Sequence, residues 1–540
     1  MEFNETILKE IIASGKLDSV SLALIKRHLA KKHNLPVPAN SSLLQSYHHL
    51  VEIGRIKINP HLAKLLRIKH VRSLSGIVSV SVLTKPYPCP GKCIYCPTES
   101  GLPKSYLTNE PAVSRAITYK YHPYHQVFSR LMTLDTIGHP IDKIELIIIG
   151  GTWSYLPKRY QGWFVKECFR AANNYLGRDN ENKQVRINKT TTTLKEEQTR
   201  NEAAINRIIG ITVETRPDYI DIREIKWLRK LGVTRVELGV QTTDDKILGI
   251  NRRDHGVRET INATRLLKDA GFKVCYHLMP NLPGATIKSD STMLASVFSD
   301  ERLRPDLLKI YPCVVLKEAP ILYHLWINKK YRPYPNSKLT DLLVNFKKTI
   351  PYYCRIQRLI RDIPATNIVA GCKVSNLRQV IKGKMTGEGS SCHCIRCREP
   401  QEDFNRDIKT ALFRDDYNAS DGKEIFLSFE SEDRKYIFSL LRLRIPSLSG
   451  KKHFISTLKN TAIIREVHTY GQMISLKKKS DSSSSQHQGM GLSLIKEAER
   501  IAKEEFKINR IAVISGIGAR EYYRIKCGYH EDGGYMVKQL

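Results

Sequence analysis

The sequence has no uninterrupted apolar run long enough to cross a bilayer as a helix. Its start, Met1 to Lys16, lacks the basic flank, apolar stretch and small-residue cleavage site of a signal peptide, so the expected compartment is the cytoplasm. Acid is scarce: 54 Asp and Glu stand against 87 Lys and Arg, a net charge of +33. Solubility needs far less, so the deficit points to a polyanionic partner. Charge alone leaves DNA, RNA and ribosome open, and it disfavours a basic polypeptide as substrate.

At 540 residues, 41% of them hydrophobic, the chain is too long for one core, and roughly two to four domains are expected. Twelve cysteines in a cytoplasmic chain argue for metal binding or catalysis rather than disulfides. Six fall in two tight clusters, Cys89, Cys93, Cys96 and Cys392, Cys394, Cys397. The scattered Cys168, Cys275, Cys313, Cys354, Cys372 and Cys527 read as small core residues.

Residues 1–70 read as a small basic helical module, with helical periodicity over Glu5 to Ile12 and Ser19 to Lys32. Lys26, Arg27, Lys31, Lys32, Lys64, Arg67, Lys69 and Arg72 form either a solvated face or an RNA-backbone surface. Across 71–315, β-like runs alternate with helix-length amphipathic segments, which indicates an α/β parallel sheet closed or partly closed into a barrel. Residues 316–403 are expected to be a helical connector ending in the second cysteine cluster. Residues 404–540 carry a mixed α and β pattern, interrupted by a Lys/Ser-rich stretch from Lys477 to Ser485 that reads as a loop.

Cys89, Cys93 and Cys96 follow a predicted strand with the spacing C-x3-C-x2-C. Ferredoxin runs and structural zinc sites supply four ligands, whereas three thiolates leave one iron of a cubane open. With Tyr95 before the last cysteine, the loop resembles that of the radical-SAM superfamily. The resemblance implies a 4Fe-4S cluster whose open iron holds S-adenosylmethionine. Gly150-Gly151-Thr152, at a strand end, resembles the glycine motif of that superfamily beside the methionine amino group, with Thr152 where an acid is usual. Glu214 and Arg216, then Glu237 and Gln241, fall at further strand ends and are expected to point into the barrel mouth.

Near the C-terminus, Gln486-His487-Gln488-Gly489-Met490-Gly491 opens an amphipathic helix, where free N–H groups suit a pyrophosphate. A strand and the Tyr522-Tyr523 pair follow, an order similar to the GCN5-related acetyltransferase fold, an α+β architecture whose loop cradles coenzyme A. Together these motifs resemble the catalytic subunit of Elongator, in its bacterial or archaeal form. Further motifs carrying that resemblance include His277-Leu278-Met279-Pro280, Arg361-Asp362-Ile363-Pro364 and Arg465-Glu466-Val467-His468.

The resemblance implies carboxymethylation of C5 of the tRNA wobble uridine from acetyl-CoA, driven by a 5′-deoxyadenosyl radical. It implies that Lys143 and Glu466, Val467, His468 and Thr469 contact acetyl-CoA. It further implies that Gly489, Met490 and Gly491 bind the pyrophosphate and that Tyr523 lies near the thioester. Physically, C5 is too weak a nucleophile for ordinary acyl transfer, so one chain needs both halves. Other Elongator subunits are not expected to be required; the electron donor and a homodimer stay open. Cys392-x-Cys394-x2-Cys397 reads as a zinc clip needing a fourth ligand, with His393 adjacent and Cys372 distant. Three rivals are a protein lysine acetyltransferase on an iron–sulfur scaffold, an RNA-binding module with vestigial sites and a methylthiotransferase. The intact motifs weigh against the second, and the acetyltransferase pattern against the third.

Overall fold

The computed structural model describes residues 2–66, 76–177, 192–400, 408–447, 452–470 and 489–540. Helices Glu2–Ala13, Ser19–Lys32, Asn40–Glu52 and Pro60–Leu66 bury Ile7, Leu8, Ile11, Leu29, Leu43, Tyr47 and Leu62 in a core of their own. The Asp18 carboxylate caps the second helix, accepting from the Val20 and Ser21 N–H groups at 2.9 and 2.8 Å. Arg27, Lys31 and Lys32 are exposed on that helix, whereas Lys26 is half-buried and donates to Asn40 at 2.8 Å. Lys64 is half-buried. Arg67, Lys69 and Arg72 lie outside the described residues, as do Gln486 and the Lys/Ser-rich stretch.

The central sheet is all parallel. It runs β1 (Val78–Leu83), β2 (Lys143–Ile149), β3 (Arg207–Thr215), β4 (Arg235–Gln241), β5 (Lys273–Leu278), β6 (Leu307–Ile310) and then, past the short β7 (Val315–Leu316), β8 (Arg355–Arg358). Spatial order follows chain order, and the sheet forms a partial barrel whose edges, among the described residues, are β1 and β8. β8 corrects an expectation: the stretch 316–403, read as helical, supplies the seventh strand, and β7 pairs antiparallel with β9 (Ile368–Ala370). Four residues, Arg-Ile-Gln-Arg, carry no periodicity from which that strand is legible.

The strands alternate with period two. Ile144, Leu146 and Ile148 of β2, Val236, Leu238 and Val240 of β4, and Val274, Tyr276 and Leu278 of β5 point outward into the core beneath the crossover helices. Glu145, Arg235, Glu237, Gln241, Lys273 and His277 point inward, giving the barrel a charged lumen.

The second sheet has the order β10 (Thr410–Ala419), β11 (Gly422–Ser431), β12 (Ile437–Ile445), β13 (Ala462–Thr469), β14 (Arg510–Val513), β16 (Tyr535–Gln539), β15 (His530–Asp532). β13 and β14 run parallel but pair only over Ala462–Ile464 and Ile511–Val513. Among the described residues, β13 beyond Ile464 continues to Thr469 beside β12 alone. Opposite β12 a bulge places Glu466 against Arg442 and Ile464 against Leu443, leaving Arg465 as the extra residue. Both Arg465 and Glu466 therefore reach the barrel, although neighbours on a regular strand face opposite ways.

The two sheets share a hydrophobic core that includes Phe272 and Ile350 of the first half and Phe426, Ile463 and Ile514 of the second. Across the seam lies a closed ion network. Arg444 pairs with Asp269 at 2.6 Å and Glu424 at 2.9 Å, while Arg465 pairs with Asp306 and with Glu424 at 2.9 Å. Burial raises the Asp306 carboxyl, but Arg465, Lys268 and Arg442 together hold it well below the usual carboxylate range. Losing one partner of such a set costs about 3–5 kcal/mol, because it strands a buried charge.

Candidate functional site

The cysteine loop follows β1, and its three thiols are partly exposed. A Cβ at Gly91 would stand 2.6 Å from the Arg216 guanidinium and 3.6 and 3.7 Å from the Cys93 and Cys89 sulfurs, so the loop closes around Arg216 only with glycine there. Arg253 donates to the Cys93 sulfur at 3.4 Å, and Lys104 to the Gly91 carbonyl at 3.3 Å. Burial pushes the Cys96 thiol up to about 11. Cationic neighbours compensate thiolate charge, which is what an anionic cluster needs. The donor set thus fits a 4Fe-4S group on Cys89, Cys93 and Cys96.

A cavity of about 130 Å³ beside the loop is lined by the three cysteines, Gly151, Thr152, Glu214, Arg216, Gln241 and Arg253. Gly150 (φ 134°) and Gly151 (φ 94°) both hold left-handed backbone, and a Cβ on Gly150 would strike the Thr84 hydroxyl at 2.0 Å. Gln241, at φ 71°, turns the end of β4 toward the same space. Tyr106 donates to Glu214 at 2.7 Å, so Glu214 enters the cavity already held in place. Arg216 is bound by Asp218 at 2.8 Å and Asp254 at 3.3 Å.

Glu237 lines the same small cavity. It sits mid-strand, 1% exposed, bonded to His277 at 2.8 Å, to Lys309, and more loosely to Arg235 at 3.6 Å. Burial raises its carboxyl, yet Lys309 and His277 drive it far below the ordinary range, so it is a fixed anion. Lys309 was missed from sequence. It lies in a run read as an apolar strand, Leu-Leu-Lys-Ile, where one inward lysine leaves no pattern.

The small cavity opens into a much larger one of about 970 Å³, with Tyr95, Tyr106, Glu214, Glu237, Gln241 and His277 common to both. The larger cavity runs the length of the lumen. At the strand C-terminal ends it meets Met279 and Tyr311; at the N-terminal ends it meets Arg235, Lys273 and Leu307. Its floor is the other domain: Leu440, Arg442, Glu466, His468 and Tyr470. Glu466 lies 2.8 Å from Arg442 and 3.4 Å from Lys273; burial raises its carboxyl, but these cations hold it far below normal. Burial drives the His468 imidazole down to about 4, so it is neutral at pH 7. The barrel's unpaired edges, Ser79 and Ser81 of β1 and Arg358 of β8, bound the same cavity, together with Arg115, Arg361, Lys373 and Arg396.

On the far side of β13, helix Met490–Arg500 begins at Gly489 (φ 105°) with no side-chain cap. A Cβ at Gly491 would lie 3.2 Å from the Thr469 hydroxyl, 3.8 Å from Val467 and 3.9 Å from the Tyr522 hydroxyl. The uncapped N–H groups of the helix, the unpaired stretch of β13 and Tyr522 therefore meet. The tyrosine pair divides: Tyr522 is 41% exposed with its hydroxyl at this junction, whereas Tyr523 is 7% exposed and packs with Leu494, Ile495 and Tyr529 in the domain core. Of the two, Tyr522 faces this junction and Tyr523 does not. Lys143 lines neither cavity. It opens β2 next to Arg207, whose guanidinium binds Glu521 at 2.7 Å, which puts Lys143 at the flank of the seam.

The Cys392, Cys394 and Cys397 sulfurs converge within 4.8 Å, as ligands sharing one ion must. Tetrahedral zinc with bonds of about 2.3 Å separates sulfurs by ~3.8 Å. The described residues add no fourth His, Cys, Asp or Glu to this group. His393 instead stacks on Tyr352 at 4.7 Å, and the Lys347 ammonium donates to Cys397 at 3.5 Å.

Comparison with known proteins agrees with this geometry. Residues 87–294 match the Radical SAM superfamily, and residues 305–386 match the Radical_SAM C-terminal domain. A protein of Methanocaldococcus jannaschii named tRNA uridine(34) acetyltransferase is 41% identical over 99% of this chain and 97% of its own length. One of the same name from Dehalococcoides mccartyi is 44% identical over 87% of this chain and 99% of its own. This chain belongs to their family. The human Elongator complex protein 3 is 36% identical over 88% of this chain and 86% of its own length. The solved structure of Methanocaldococcus infernus Elp3 with an N-terminal deletion (1–46) superposes with a TM-score of 0.72 at 39% identity, covering 86% of this chain and all of that one. As a radical-SAM protein, the chain uses a 4Fe-4S cluster and S-adenosylmethionine.

Proposed function

We propose that this chain is a tRNA uridine(34) acetyltransferase that attaches a carboxymethyl group to C5 of the wobble uridine, taking the two carbons from acetyl-CoA. The observation that supports it is the continuous 970 Å³ cavity, whose walls run from the S-adenosylmethionine cleft to the floor strand β13. Two unrelated chemistries placed on one chain need no shared interior, whereas a two-carbon unit activated at one site and delivered to a base does.

The C-terminal domain takes the acetyltransferase role. Gly489, Met490 and Gly491 offer N–H groups to the pyrophosphate, and the edge of β13 from Glu466 to Thr469 that faces away from β12 and is not paired with β14 suits the pantetheine amides. Tyr522 stands where its hydroxyl can donate to the sulfur end of the arm. When bound, the cluster and S-adenosylmethionine would supply a deoxyadenosyl radical able to take hydrogen from the acetyl methyl; joining that carbon to C5 would release the C5 proton and one electron, and thioester hydrolysis would leave the carboxylate and free coenzyme A. The polypeptide holds the reactants apart from bulk water and presents fixed charges, Glu237 and Lys309, along the path. Arg115, Arg358, Arg361, Lys373 and Arg396 on the open side suit the anticodon phosphates, and the +33 charge draws tRNA from a distance. Zinc on Cys392, Cys394 and Cys397 would brace β8, since the Ile395 N–H bonds the Cys354 carbonyl next to that strand at 2.9 Å. We assign the enzyme to the cytoplasm, acting without a larger assembly; among the described residues no helix is long and apolar enough to cross a membrane.

Anaerobic incubation with reductant, S-adenosylmethionine, bulk tRNA and methyl-labelled acetyl-CoA, followed by nucleoside mass analysis, tests the reading. Label in a C5-substituted uridine alongside 5′-deoxyadenosine supports it. Unlabelled tRNA despite intact cluster and tRNA binding overturns it and favours lysine acetylation. That rival already meets an obstacle in Glu466, which is bound by two cations rather than free to act as a base.

A further inference from the structure

Outside both cavities, behind the cysteine loop, three tyrosines form a row. Tyr87 meets Tyr155 edge-on at 5.9 Å between ring centroids, and Tyr155 meets Tyr219 at 5.7 Å. Tyr87 is 37% and Tyr155 41% exposed. The row leads inward: Tyr219 lies 5.7 Å under the Arg216 guanidinium, which in turn closes over Gly91 between the Cys89 and Cys93 sulfurs. Lys85, Lys92 and Arg159 are exposed, and the Lys85 ammonium lies 5.0 Å over the ring of Tyr160, the residue after Arg159. Their positions follow from the sequence, because Lys85 and Lys92 flank Cys89 and Arg159 follows the Gly150-Gly151 turn.

We propose that this basic, aromatic face is where a small acidic one-electron carrier, a flavin or iron–sulfur protein, docks to charge the cluster. Reductive cleavage of S-adenosylmethionine consumes one electron, so the carrier is oxidised by one as the sulfur–carbon bond breaks and methionine leaves. This inference rests on the radical-SAM chemistry and not on which nucleoside is modified. Three features favour a carrier over RNA. The tyrosines line neither cavity, so a base stacked on them would not reach the radical. The face is the outer wall of the cysteine loop, and electron transfer rewards proximity to the sulfurs. Exposed aromatic residues with Lys85 and Arg159 close by, and with the exposed Asp254 already paired to Arg216, suit a compact acidic partner surface.

The test uses holoenzyme and a reduced flavodoxin as probe. Wild type and the Lys85→Glu/Arg159→Glu variant are compared for flavodoxin affinity by titration, for cluster reduction by stopped-flow absorbance with flavodoxin or dithionite, and for tRNA affinity. Both positions lie outside the cofactor and substrate cavities. The expected result is about a tenfold weaker flavodoxin affinity and a matching fall in flavodoxin-driven reduction, with dithionite reduction and tRNA affinity unchanged. Unchanged flavodoxin affinity, or loss of tRNA affinity in its place, overturns the proposal. Lys85→Gln/Arg159→Gln keeps the question open to refutation if charge reversal prevents folding: it should show a smaller shift in the same direction, and no shift sinks the idea.

Discussion

Lys273, the first residue of barrel strand β5, lies 3.4 Å from Glu466 on β13 of the other domain, inside the cavity that both domains enclose. The pair marks the place where the lumen ends and the floor supplied by the second sheet begins. Replacing Glu466 with Gln leaves Arg442 and Lys273 short of an anion at that junction. Modified tRNA is expected to fall at least tenfold while 5′-deoxyadenosine still forms, since the cluster lies at the other end of the lumen. Liquid chromatography of both products from one reaction decides; parallel loss of both would mean that the pair does not separate the two halves.

Cys93→Ala removes one of the three thiols proposed to hold the cluster and the acceptor of the Arg253 bond. Iron content and 5′-deoxyadenosine should disappear, with tRNA affinity kept within about twofold because the exposed basic residues are untouched. Modification surviving in this variant would contradict the radical assignment.

Gly491→Ala places a methyl group 3.2 Å from the Thr469 hydroxyl, and Tyr522→Phe deletes the hydroxyl beside it. Each is expected to weaken acetyl-CoA binding or turnover severalfold and leave the melting temperature nearly unchanged. Tyr523→Ala should instead destabilise the fold by about 3 kcal/mol, as large-to-small changes in cores do. Calorimetry set against acetyl-CoA titration separates the roles, and equal thermal loss in all three would erase the distinction between the tyrosines.

Arg27, Lys31 and Lys32 project from one exposed helix of the N-terminal bundle. Changing all three to Ala should weaken tRNA binding and lower the slope of log affinity against log salt by about 2–3. Lys26, held by Asn40, should contribute less when changed alone. A slope identical to wild type would remove this helix from the tRNA surface.

The depressed pKa of His468 carries a pH signature. Near 6.5 in the unfolded chain and about 4 in the folded one, this imidazole binds its proton more readily when unfolded between those values. Its contribution is therefore fully present above about pH 6.5 and is lost as pH falls toward 4. The melting temperature of wild type should drop more between pH 7 and 5 than that of His468→Gln. Indistinguishable pH profiles would show that burial of this ring is not what sets the acid limit.

Much of this arrangement was legible in the residues, for identifiable reasons. Cys89, Cys93 and Cys96 announce themselves by spacing, and Gly150-Gly151 by a left-handed turn whose first position has no room for a Cβ. β2, β4 and β5 are readable because their outward halves are Val, Ile, Leu and Tyr at period two. The inward halves defeated residue-by-residue reading: the ties of Glu237 to His277 and Lys309, about 40 and 70 positions away, leave no local pattern. Tyr522 and Tyr523 could not be ranked from order alone, because which neighbour faces the core depends on how the helix Arg520–Cys527 rolls against β14 and β16. β8 was lost to its shortness and its arginines.

The closed set of charges at the seam, with Asp269 and Asp306 on one side and Arg444 and Arg465 on the other, bears on how such a chain can change over generations. Neither half can be exchanged for a counterpart from a distant relative without carrying its opposite charges along. A graft lacking Arg465 would bring Asp306 into the seam with its principal counter-ion missing. The halves are thus inherited as a unit, and a chimera that respects every catalytic residue but mixes these four partners should fail at folding before its chemistry is ever tried.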